Sequence, residues 1–376
     1  MSRSLKILLT NSTDIYGGGE FYVYELAKAL QERDHQVLVS CRSDNLLCEK
    51  CEKAHIRTIP LEFPPRGQLV KFISRVRRII KDNHIQIVHT NSNYDRTAGA
   101  FAALTAGVKH ITNVHSFHSL QHNITHWFRN RYATDHYIVD GVCVKDLLIR
   151  KDRIPSSKIS VVYLGVNPDE MKRDQALREK VRKEFGFTDQ HLVVGNVARL
   201  VLFKGQEFLL RAFAESTHQF KNARLVIVGD GELQEMLTSL ARTIDIEKFV
   251  IFTGFRHDLQ AIYSAFDIYV HSSFEGGGET FPFAVLQALA QELPVIVTRV
   301  GDVPVMVEEG LNGFVVPDRD ASAIAQKLSI LLSDEYLRQS MAMKSRERLL
   351  QRFTLRSMVD HIEKIYFSVL YKEQSR

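Results

Sequence analysis

A glutamate and a glutamine stand eight positions apart in the second half of the chain, just after three glycines. Glu279 follows Gly276–Gly278, and Gln287 lies within Ala284–Ala290, a run whose composition predicts a helix. Eight residues are about two helical turns, so both side chains would lie on one side of that helix. A glutamate at a helix N-terminus beside a glycine-rich loop is typical of a ligand site. We therefore predict that Glu279 and Gln287 contact one polar ligand.

Two cations precede this stretch, at the end of an earlier apolar run. Arg199 ends that run, and Lys204 comes just before the next helical pattern. Such cations suit a diphosphate, because each charge-assisted hydrogen bond contributes about 1.5–3 kcal/mol. Gly229 and Gly231 follow the run Arg224–Val228 and allow the backbone to approach a ligand closely. The sequence thus predicts a diphosphate site at one edge of a sheet.

The elements that position these residues are short β-branched runs alternating with helical patterns along all 376 residues. This alternation predicts an α/β protein whose parallel strands are covered by helices on both faces. A turn-rich passage at Tyr163–Pro168 separates two such series. We predict two Rossmann-like, doubly wound domains, 1–165 and 166–352, with an amphipathic helix within 353–376 that packs back on the first. The strand-like runs are Leu5–Thr10, Val37–Ser40, Ile85–Thr90, Ile111–Val114 and Tyr137–Val139, then Leu192–Ala198, Leu225–Val228, Val250–Thr253, Ile268–His271, Val295–Thr298 and Gly313–Val316.

Charge is unevenly distributed between these two halves. Residues 1–165 carry 23 Lys and Arg against 15 Asp and Glu, whereas residues 166–376 carry 26 against 29. With 45% hydrophobic and 25% charged residues, the chain has the composition of a globular protein. No apolar run is long enough to cross a bilayer, and Leu5–Leu9 is too short for a signal peptide. We expect a cytoplasmic protein whose first half is basic.

The helical pattern Leu69–Lys81 concentrates this positive charge. One face is apolar and the opposite face carries Lys71, Arg75 and Arg78. The pattern is typical of a surface helix packed on a sheet, and equally of a helix that contacts an anionic acceptor or the inner face of the cell membrane. Nucleic acid is not expected, because no basic patch interleaved with aromatic residues occurs. Further cations in or near the pattern are Arg66, Arg77 and Lys81.

Four cysteines and a group of histidines are the candidate metal ligands of the chain. The cysteines are Cys41, Cys48, Cys51 and Cys143. They are too few for a disulfide framework in a chain of this size, and no second pair completes a zinc site. His118, His122 and His126 fall on one helical face, but no acidic partner completes a catalytic centre. We expect reduced thiols and no metal.

Four motifs follow one another in the second half. They are Ala198-Arg-x4-Lys204-Gly, Val228-Gly-Asp-Gly231, Phe252-Thr-Gly-Phe255 and Glu279-x7-Gln287-Ala-Leu-Ala. In this order and spacing they resemble the retaining nucleotide-sugar glycosyltransferases of family 4. The resemblance covers nearly the whole chain and implies the GT-B fold, in which two Rossmann-like domains face each other across a cleft.

The resemblance also implies a role for each motif. Arg199 and Lys204 would neutralise the diphosphate as it leaves, Glu279 would face hydroxyls of the donor sugar, and Gln287 would hold the ribose. Fixed cations and a helix terminus would stabilise the charge that develops, with neither metal nor cofactor. The donor-binding residues implied are Gly17, Gly18, Arg199, Lys204, Gly229, Gly254, Phe255, Arg256, Glu279, Thr280, Phe281 and Gln287.

Three stretches of the first half resemble further signatures of the family. Gly17-Gly-Gly-Glu20 resembles the glycine-rich loop that faces the donor phosphates. Val88-His-Thr-Asn-Ser92 resembles a strand end on the acceptor side, and Thr112-Asn-Val-His115 resembles the strand whose histidine approaches the transferred sugar. The resemblance therefore assigns His89 and Asn91 to the acceptor side. The candidate catalytic residues are His115, Glu279, Arg199 and Lys204.

Two positions depart from the family pattern. Family members usually have glutamate at the position of Gln287, and glycine is common at that of Pro282. An amide accepts a hydrogen bond from a ribose hydroxyl without charge assistance, and proline lacks a backbone N–H. The resemblance implies transfer from a nucleoside-diphosphate sugar, with UDP the first choice, to a glycan or glycolipid of the polysaccharide or lipopolysaccharide type. A nucleotide-sugar epimerase of the same fold and a non-catalytic nucleotide-sugar-binding protein are the alternatives.

Overall fold

The computed structural model describes residues 4–13, 17–43, 45–61 and 68–371. The chain divides into two compact units, Met1–Leu164 with Leu355–Arg376, and Gly165–Thr354. The domain limits that we placed from the sequence lie within two residues of these divisions. Arg66, which belonged to the predicted basic pattern, lies outside the described residues.

The first unit is a parallel sheet covered by helices. Its strands are β1 Lys6–Thr10, β2 Gln36–Cys41, β3 Arg57–Pro60, β4 Ile87–Thr90, β5 Lys109–Val114, β6 His136–Val139 and β7 Ile159–Val161. Its helices before residue 151 are α1 Gly18–Gln31, α2 Leu46–Lys53, α3 Leu69–Asp82, α4 Asn93–Ala106, α5 Ile124–Phe128 and α6 Val142–Arg150, with a π-helical turn at Arg129–Ala133. The strand order is β3-β2-β1-β4-β5-β6-β7, and the neighbouring strands run parallel.

Helix α3 shows how the sequence pattern positions an element. Phe72, Val76 and Ile80 are buried and pack with Leu8 and Val88 of the sheet. These positions recur every three or four residues, which places them on one face of the helix. The predicted apolar stripe is therefore present in α3, while the basic residues between its members face solvent.

The second unit repeats the architecture. Its strands are β8 Leu192–Val197, β9 Ala223–Val228, β10 Val250–Phe252, β11 Ile268–His271, β12 Val295–Thr298 and β13 Gly313–Val316. Its helices are α7 Gln175–Glu184, α8 Gln206–Thr217, α9 Gln234–Thr243, α10 Leu259–Ser264, α11 Phe283–Ala290, α12 Ala321–Ser333 and α13 Glu335–Arg352. The parallel sheet has the order β10-β9-β8-β11-β12-β13. Two parallel sheets with flanking helices make this an α/β protein with two Rossmann-like units.

The last helix, α14 Leu355–Tyr371, belongs to the first unit. Glu363 accepts a hydrogen bond from Arg33 at 2.8 Å and lies 2.9 Å from His35 Nε2. Tyr366 is fully buried, and its hydroxyl lies 2.6 Å from His89 Nδ1. Among the described residues, the helices nowhere combine the length and apolarity that crossing a bilayer requires.

Each sheet has one place where the strand order reverses. In the first unit it lies between β1 and β4, and in the second between β8 and β11. Connections from the two neighbouring strands leave in opposite directions there, which opens a crevice at the carboxyl ends where ligands bind in such folds. The loops after β8 and β11 contain Arg199, Lys204 and Glu279, so these three of the predicted donor residues lie at the reversal point of the second sheet.

Candidate active site

A buried ion pair occupies the reversal point of the second sheet. Lys204 lies in a short helical turn after β8, and Glu279 lies in the loop after β11. Lys204 Nζ donates a hydrogen bond to Glu279 Oε2, and Ser273 Oγ donates to the same oxygen at 2.9 Å. The two charged side chains are only 14% and 10% exposed. The charge of Lys204 is therefore already balanced within the protein.

The surroundings of this pair keep Glu279 ionised. Burial alone would raise the pKa of Glu279, but Lys204, His271 and Ser273 outweigh it and lower this pKa to about 2. His271 Nε2 lies 3.6 Å from Glu279 Oε2, and burial lowers the pKa of His271 to about 4 despite that carboxylate. Near neutral pH the site thus holds a carboxylate beside a neutral imidazole.

Two glycines let the strand ends approach closely. Gly205, between Lys204 and α8, has φ +65°, and a Cβ there would lie 2.1 Å from the carbonyl oxygen of Ser272. Gly229, after β9, has φ +130°, and its Cβ would lie 2.1 Å from the carbonyl oxygen of Ala198. Side chains at these positions would push the loops apart. The glycines therefore bring the loops after β8, β9 and β11 together.

Arg199 provides a second cation at the same edge. Its side chain is exposed and forms no hydrogen bond or ion pair with the described residues. Its backbone is fixed, because the carbonyl oxygen of Arg199 accepts a hydrogen bond from Gln206 Nε2 at 3.0 Å. The backbone of Arg199 is thus fixed at the sheet edge, and its side-chain charge is uncompensated among the described residues, in contrast to that of Lys204.

The loop before α11 differs from the sequence-based expectation. We expected Glu279 at the helix N-terminus, but α11 begins at Phe283 with Pro282 as its N-cap, and Lys204 holds Glu279 instead. Phe281 is buried against Phe353, with ring centroids 5.4 Å apart, so its ring packs inside the protein and is closed to a ligand. Thr280 and Gln287 are also almost fully buried, which leaves little of either side chain open to a ligand.

The loop after β10 contains the remaining donor candidates. Arg256 is held by two acids, at 2.5 Å from Glu184 and 2.7 Å from Asp258, and these hydrogen bonds raise the pKa of Arg256 further. Phe255 is half exposed, and Gly254 has φ +70° with open space around its Cα. The exposed residues of this loop are therefore Phe255, His257 and Asp258. The Gly254 carbonyl oxygen accepts a hydrogen bond from the Gly229 backbone N–H at 2.9 Å, and the Arg256 guanidinium is engaged.

The reversal point of the first sheet lies between the ends of β1 and β4. Ser12 Oγ and Ser92 Oγ lie 2.5 Å apart there. Gly17 is the N-cap of α1, which begins at Gly18, and the Glu20 carboxylate accepts a hydrogen bond from the Gly17 backbone N–H at 2.8 Å. A carboxylate thus stabilises the positive end of this helix. The Gly17 amide already has an internal acceptor in this state.

His115 follows β5 at the same edge. Its Nδ1 lies 3.5 Å from Asp140 Oδ2, and its Nε2 lies 3.3 Å from Asn113 Nδ2. Its ring meets that of Tyr22 edge-on, with centroids 4.7 Å apart, and 22% of its side chain is exposed. Asp140 and Tyr22 were not predicted from the sequence. Asp140 directly follows β6, so its position at a strand end was the signal that could have identified it.

His89 and Asn91 do not have the acceptor-side surroundings that we expected. His89 is fully buried within β4 against Tyr366, and burial lowers the pKa of His89 to about 3. Asn91 is 5% exposed and its Nδ2 donates to the carbonyl oxygens of Thr10 and His89, at 3.2 and 3.0 Å. Both side chains stabilise the end of β4 from inside the unit. The expectation that they face an acceptor is corrected accordingly.

The cysteine and histidine side chains have local contacts within the first unit. Cys41, Cys48, Cys51 and Cys143 are not in disulfides, and burial raises the pKa of Cys51 to about 12. Within the described ranges, His, Cys, Asp and Glu side chains nowhere form a group of three that could hold a metal ion. His122 and His126 contact each other edge-on at 5.6 Å, whereas His118 bonds to Ser116 and Asn93.

Comparison with solved structures identifies the fold as GT-B. The chain resembles a glycosyltransferase of Rickettsia africae ESF-5, with a TM-score of 0.88, 21% identity and coverage of 98% of this chain and 99% of the other. It also resembles Anabaena HepE in complex with UDP, with a TM-score of 0.85, 22% identity and coverage of 97% and 100%. At these identities the similarity concerns the fold alone.

Two family models match the chain in succession. "Glycosyltransferase Family 4" matches residues 16–170, and "Glycosyl transferases group 1" matches residues 178–348. The chain belongs to glycosyltransferase family 4. A curated relative, UDP-Gal:alpha-D-GlcNAc-diphosphoundecaprenol alpha-1,3-galactosyltransferase of Escherichia coli, is 24% identical over 80% of both chains. The chain spans only about half the length of several other curated relatives that it matches.

Proposed function

We propose that the protein transfers a sugar from a nucleoside-diphosphate sugar, a UDP-sugar in the first place, to a hydroxyl of a glycan or glycolipid. The observation that carries the proposal is the uncompensated Arg199 beside the Lys204–Glu279 pair at the reversal point of the second sheet. Family membership, the UDP complex of HepE and the name of the Escherichia coli relative support this reaction class. Transfer would occur on the cytoplasmic side, for cell-envelope polysaccharide or lipopolysaccharide.

In the proposed chemistry, the chain supplies charge stabilisation and not a covalent intermediate. Departure of the nucleoside diphosphate leaves negative charge on phosphate, which Arg199 would neutralise. The Lys204 ammonium, whose charge Glu279 balances, would donate a further hydrogen bond to that phosphate. Glu279, kept ionised, would accept hydrogen bonds from hydroxyls of the donor sugar. We assign a retaining, metal-independent, front-face reaction in which the leaving phosphate assists deprotonation of the acceptor hydroxyl. Departure and attack then occur on the same face of the sugar.

The replacement Arg199→Ala tests this assignment most directly. Loss of one charge-assisted hydrogen bond to phosphate should lower kcat/KM by about 10- to 150-fold, because such a bond contributes about 1.5–3 kcal/mol. Nucleotide release is measured with UDP-, GDP- and ADP-sugars and an extract of glycan and lipid acceptors. Arg211→Ala is the matched control, because Arg211 is an exposed arginine of α8 that pairs with Glu207 and not with the sheet edge.

Four outcomes would contradict parts of this function. If no donor binds or turns over, the nucleotide-sugar site is misassigned. If donors bind without turnover across all acceptors, the protein is a binding protein, as the amide at Gln287 would permit. If the sugar is converted without an acceptor, the protein is an epimerase. Equal activity of the Arg199 and Arg211 variants would mean that the phosphate lies elsewhere.

The proposal includes peripheral contact between α3 and an anionic membrane. Lys71, Arg77, Arg78 and Lys81 are exposed and have no ion-pair or hydrogen-bond partner among the described residues. Asp82 is the single acid of α3. An exposed row of unpaired cations attracts anionic lipid headgroups, with each Lys or Arg near the surface contributing about 1 kcal/mol.

We expect Lys71→Glu/Arg78→Glu to weaken binding to anionic vesicles by at least about 30-fold, since two attractions of about 1 kcal/mol each are lost and two repulsions are added. Co-sedimentation with phosphatidylglycerol vesicles at low ionic strength measures this. Lys180→Glu/Lys183→Glu, on exposed positions of α7, makes the same change of charge in the second unit. Equal loss in both variants would show that net charge, and not α3, governs the contact.

A further inference from the structure

The segment Phe117–Tyr132 of the first unit reverses the usual pattern of burial. Arg129 and Asn130 are buried, with 2% and 5% of their surface exposed. Ile124 is 75% exposed, Tyr132 55% and Trp127 43%. Arginine and asparagine are ordinarily surface residues, whereas large apolar side chains tend to be inside. The reversal means that the fold turns these apolar groups outward.

Internal contacts fix this orientation. Arg129 donates hydrogen bonds to the Leu120 carbonyl oxygen at 2.6 Å and to Thr97 Oγ1 at 2.9 Å. Asp152 accepts hydrogen bonds from the Leu120 backbone N–H, at 2.7 Å, and from Ser119 Oγ. The buried polar groups thus anchor α5 and the π-helical turn to the unit. The outward side chains are held in place and cannot turn inward without breaking those bonds.

The exposed apolar side chains form one surface. Tyr132 contacts Trp127 and Phe128, with ring centroids 5.9 and 5.0 Å apart, and Phe128 stacks on Phe101 at 6.0 Å. Ile124 and Trp127 also line a shallow depression of about 510 Å³. We call Ile124, Trp127, Phe128 and Tyr132 the aromatic patch. A contiguous exposed apolar patch marks an interaction surface.

Charge and residue chemistry indicate what the patch contacts. The segment Phe117–Tyr132 contains Arg129, Arg131 and three histidines but neither Asp nor Glu. Arg131 is exposed and lies over the Tyr132 ring, 5.8 Å from its centroid. Helix α4 packs against both α3 and the π-helical turn, so the unpaired cations of α3 belong to the same helical layer. Tryptophan and tyrosine favour the boundary between water and lipid tails, and cations favour anionic headgroups.

We propose that the aromatic patch inserts into the interfacial layer of an anionic lipid bilayer. The choice of a lipid bilayer as the partner rests on the proposed function, in which α3 contacts an anionic membrane. Insertion of the aromatic patch adds a hydrophobic anchor to that electrostatic contact. Insertion buries Ile124 and the three rings while Arg131 stays at headgroup level. The anchored surface belongs to the unit that the family resemblance assigns to the acceptor, so a lipid-linked acceptor would be met at the membrane.

The composition of the chain makes this insertion directly measurable. Trp127 is the only tryptophan among 376 residues, so tryptophan emission reports on the patch alone. We expect the Trp127 emission to shift to the blue when phosphatidylglycerol vesicles are added. We expect the same emission to be quenched when the lipids of the vesicles are brominated in their tails. Ile124→Ser keeps the reporter and should weaken vesicle affinity about tenfold. Tyr336→Ser is the control, because Tyr336 is an 83% exposed residue of α13 in the other unit and should leave affinity unchanged.

The contrary results separate failure of insertion from failure of the proposed function. Co-sedimentation without quenching by brominated lipids would overturn insertion and leave α3 as the contact. Equal affinities of Ile124→Ser and Tyr336→Ser would also overturn it. A dimer in lipid-free solution that Ile124→Ser dissociates would assign the patch to a second copy of the chain. Quenching in a protein that fails to transfer sugar would refute the proposed function while supporting insertion.

Discussion

Replacing Lys204 by methionine should destabilise the second unit by about 3–5 kcal/mol near neutral pH, because it leaves the Glu279 carboxylate buried without its counter-ion. Glu279 is 10% exposed and keeps only Ser273 and the neutral His271 as polar neighbours once the ammonium is gone. The same variant should lose about a hundredfold to a thousandfold in turnover, the effect of removing one stabilising group from a developing charge. Urea unfolding and nucleotide release measure the two effects.

The pH dependence of unfolding distinguishes the loss of the Glu279 counter-ion from a general loss of packing. In the wild type the pKa of Glu279 is lowered from 4.5 to about 2, so its stabilising contribution is present above the ordinary pKa and is lost as pH falls toward 2. Without Lys204, burial is the dominant influence and raises this pKa instead. The stability deficit of Lys204→Met should therefore shrink as the solution is acidified and the carboxylate becomes protonated.

A double substitution provides the control. Lys204→Met/Glu279→Gln removes both charges, so it should unfold at higher urea than Lys204→Met alone, although it remains inactive. If the double variant is no more stable than the single one, the loss comes from packing of the lysine stem. A deficit that stays constant between neutral and acidic pH would likewise contradict the counter-ion explanation.

The strands show what a single sequence specifies about this fold. The apolar runs predicted all six strands of the second sheet and the five central strands of the first. The two missed strands are β3 and β7, which lie at opposite edges of the first sheet. An edge strand pairs on one side only and needs less apolar surface. Both are short, and β3 is largely open to solvent, so neither has the continuous apolar run of a central strand.

The site was only partly predictable for a related reason. Arg199, Lys204 and Glu279 follow central strands, and the carboxyl ends of parallel strands meet at one edge, so their common position follows from topology. Which of these charged side chains form an ion pair does not follow from topology, because it depends on the conformation of the loops. Nothing in the spacing of Lys204 and Glu279 shows that they neutralise each other. Nor does the position of His89 in its motif show that Tyr366, 277 residues later, encloses it.

Replacing Gly205 by alanine should destabilise the protein by about 2–5 kcal/mol and weaken donor binding. About 1–2 kcal/mol comes from the positive φ, and the rest from a Cβ only 2.1 Å from the Ser272 carbonyl oxygen, which must move. Ser272 Oγ donates to the Lys204 carbonyl oxygen at 2.9 Å, so that movement disturbs the Lys204–Glu279 pair. Gly186→Ala is the control that measures the cost of the positive φ alone, because Gly186 has φ +71° and no atom within 4 Å of a Cβ. Urea unfolding of both variants should show the larger loss of unfolding free energy for Gly205→Ala. Equal losses would mean that the loops after β8 and β11 separate without strain, and that this close approach does not position the pair.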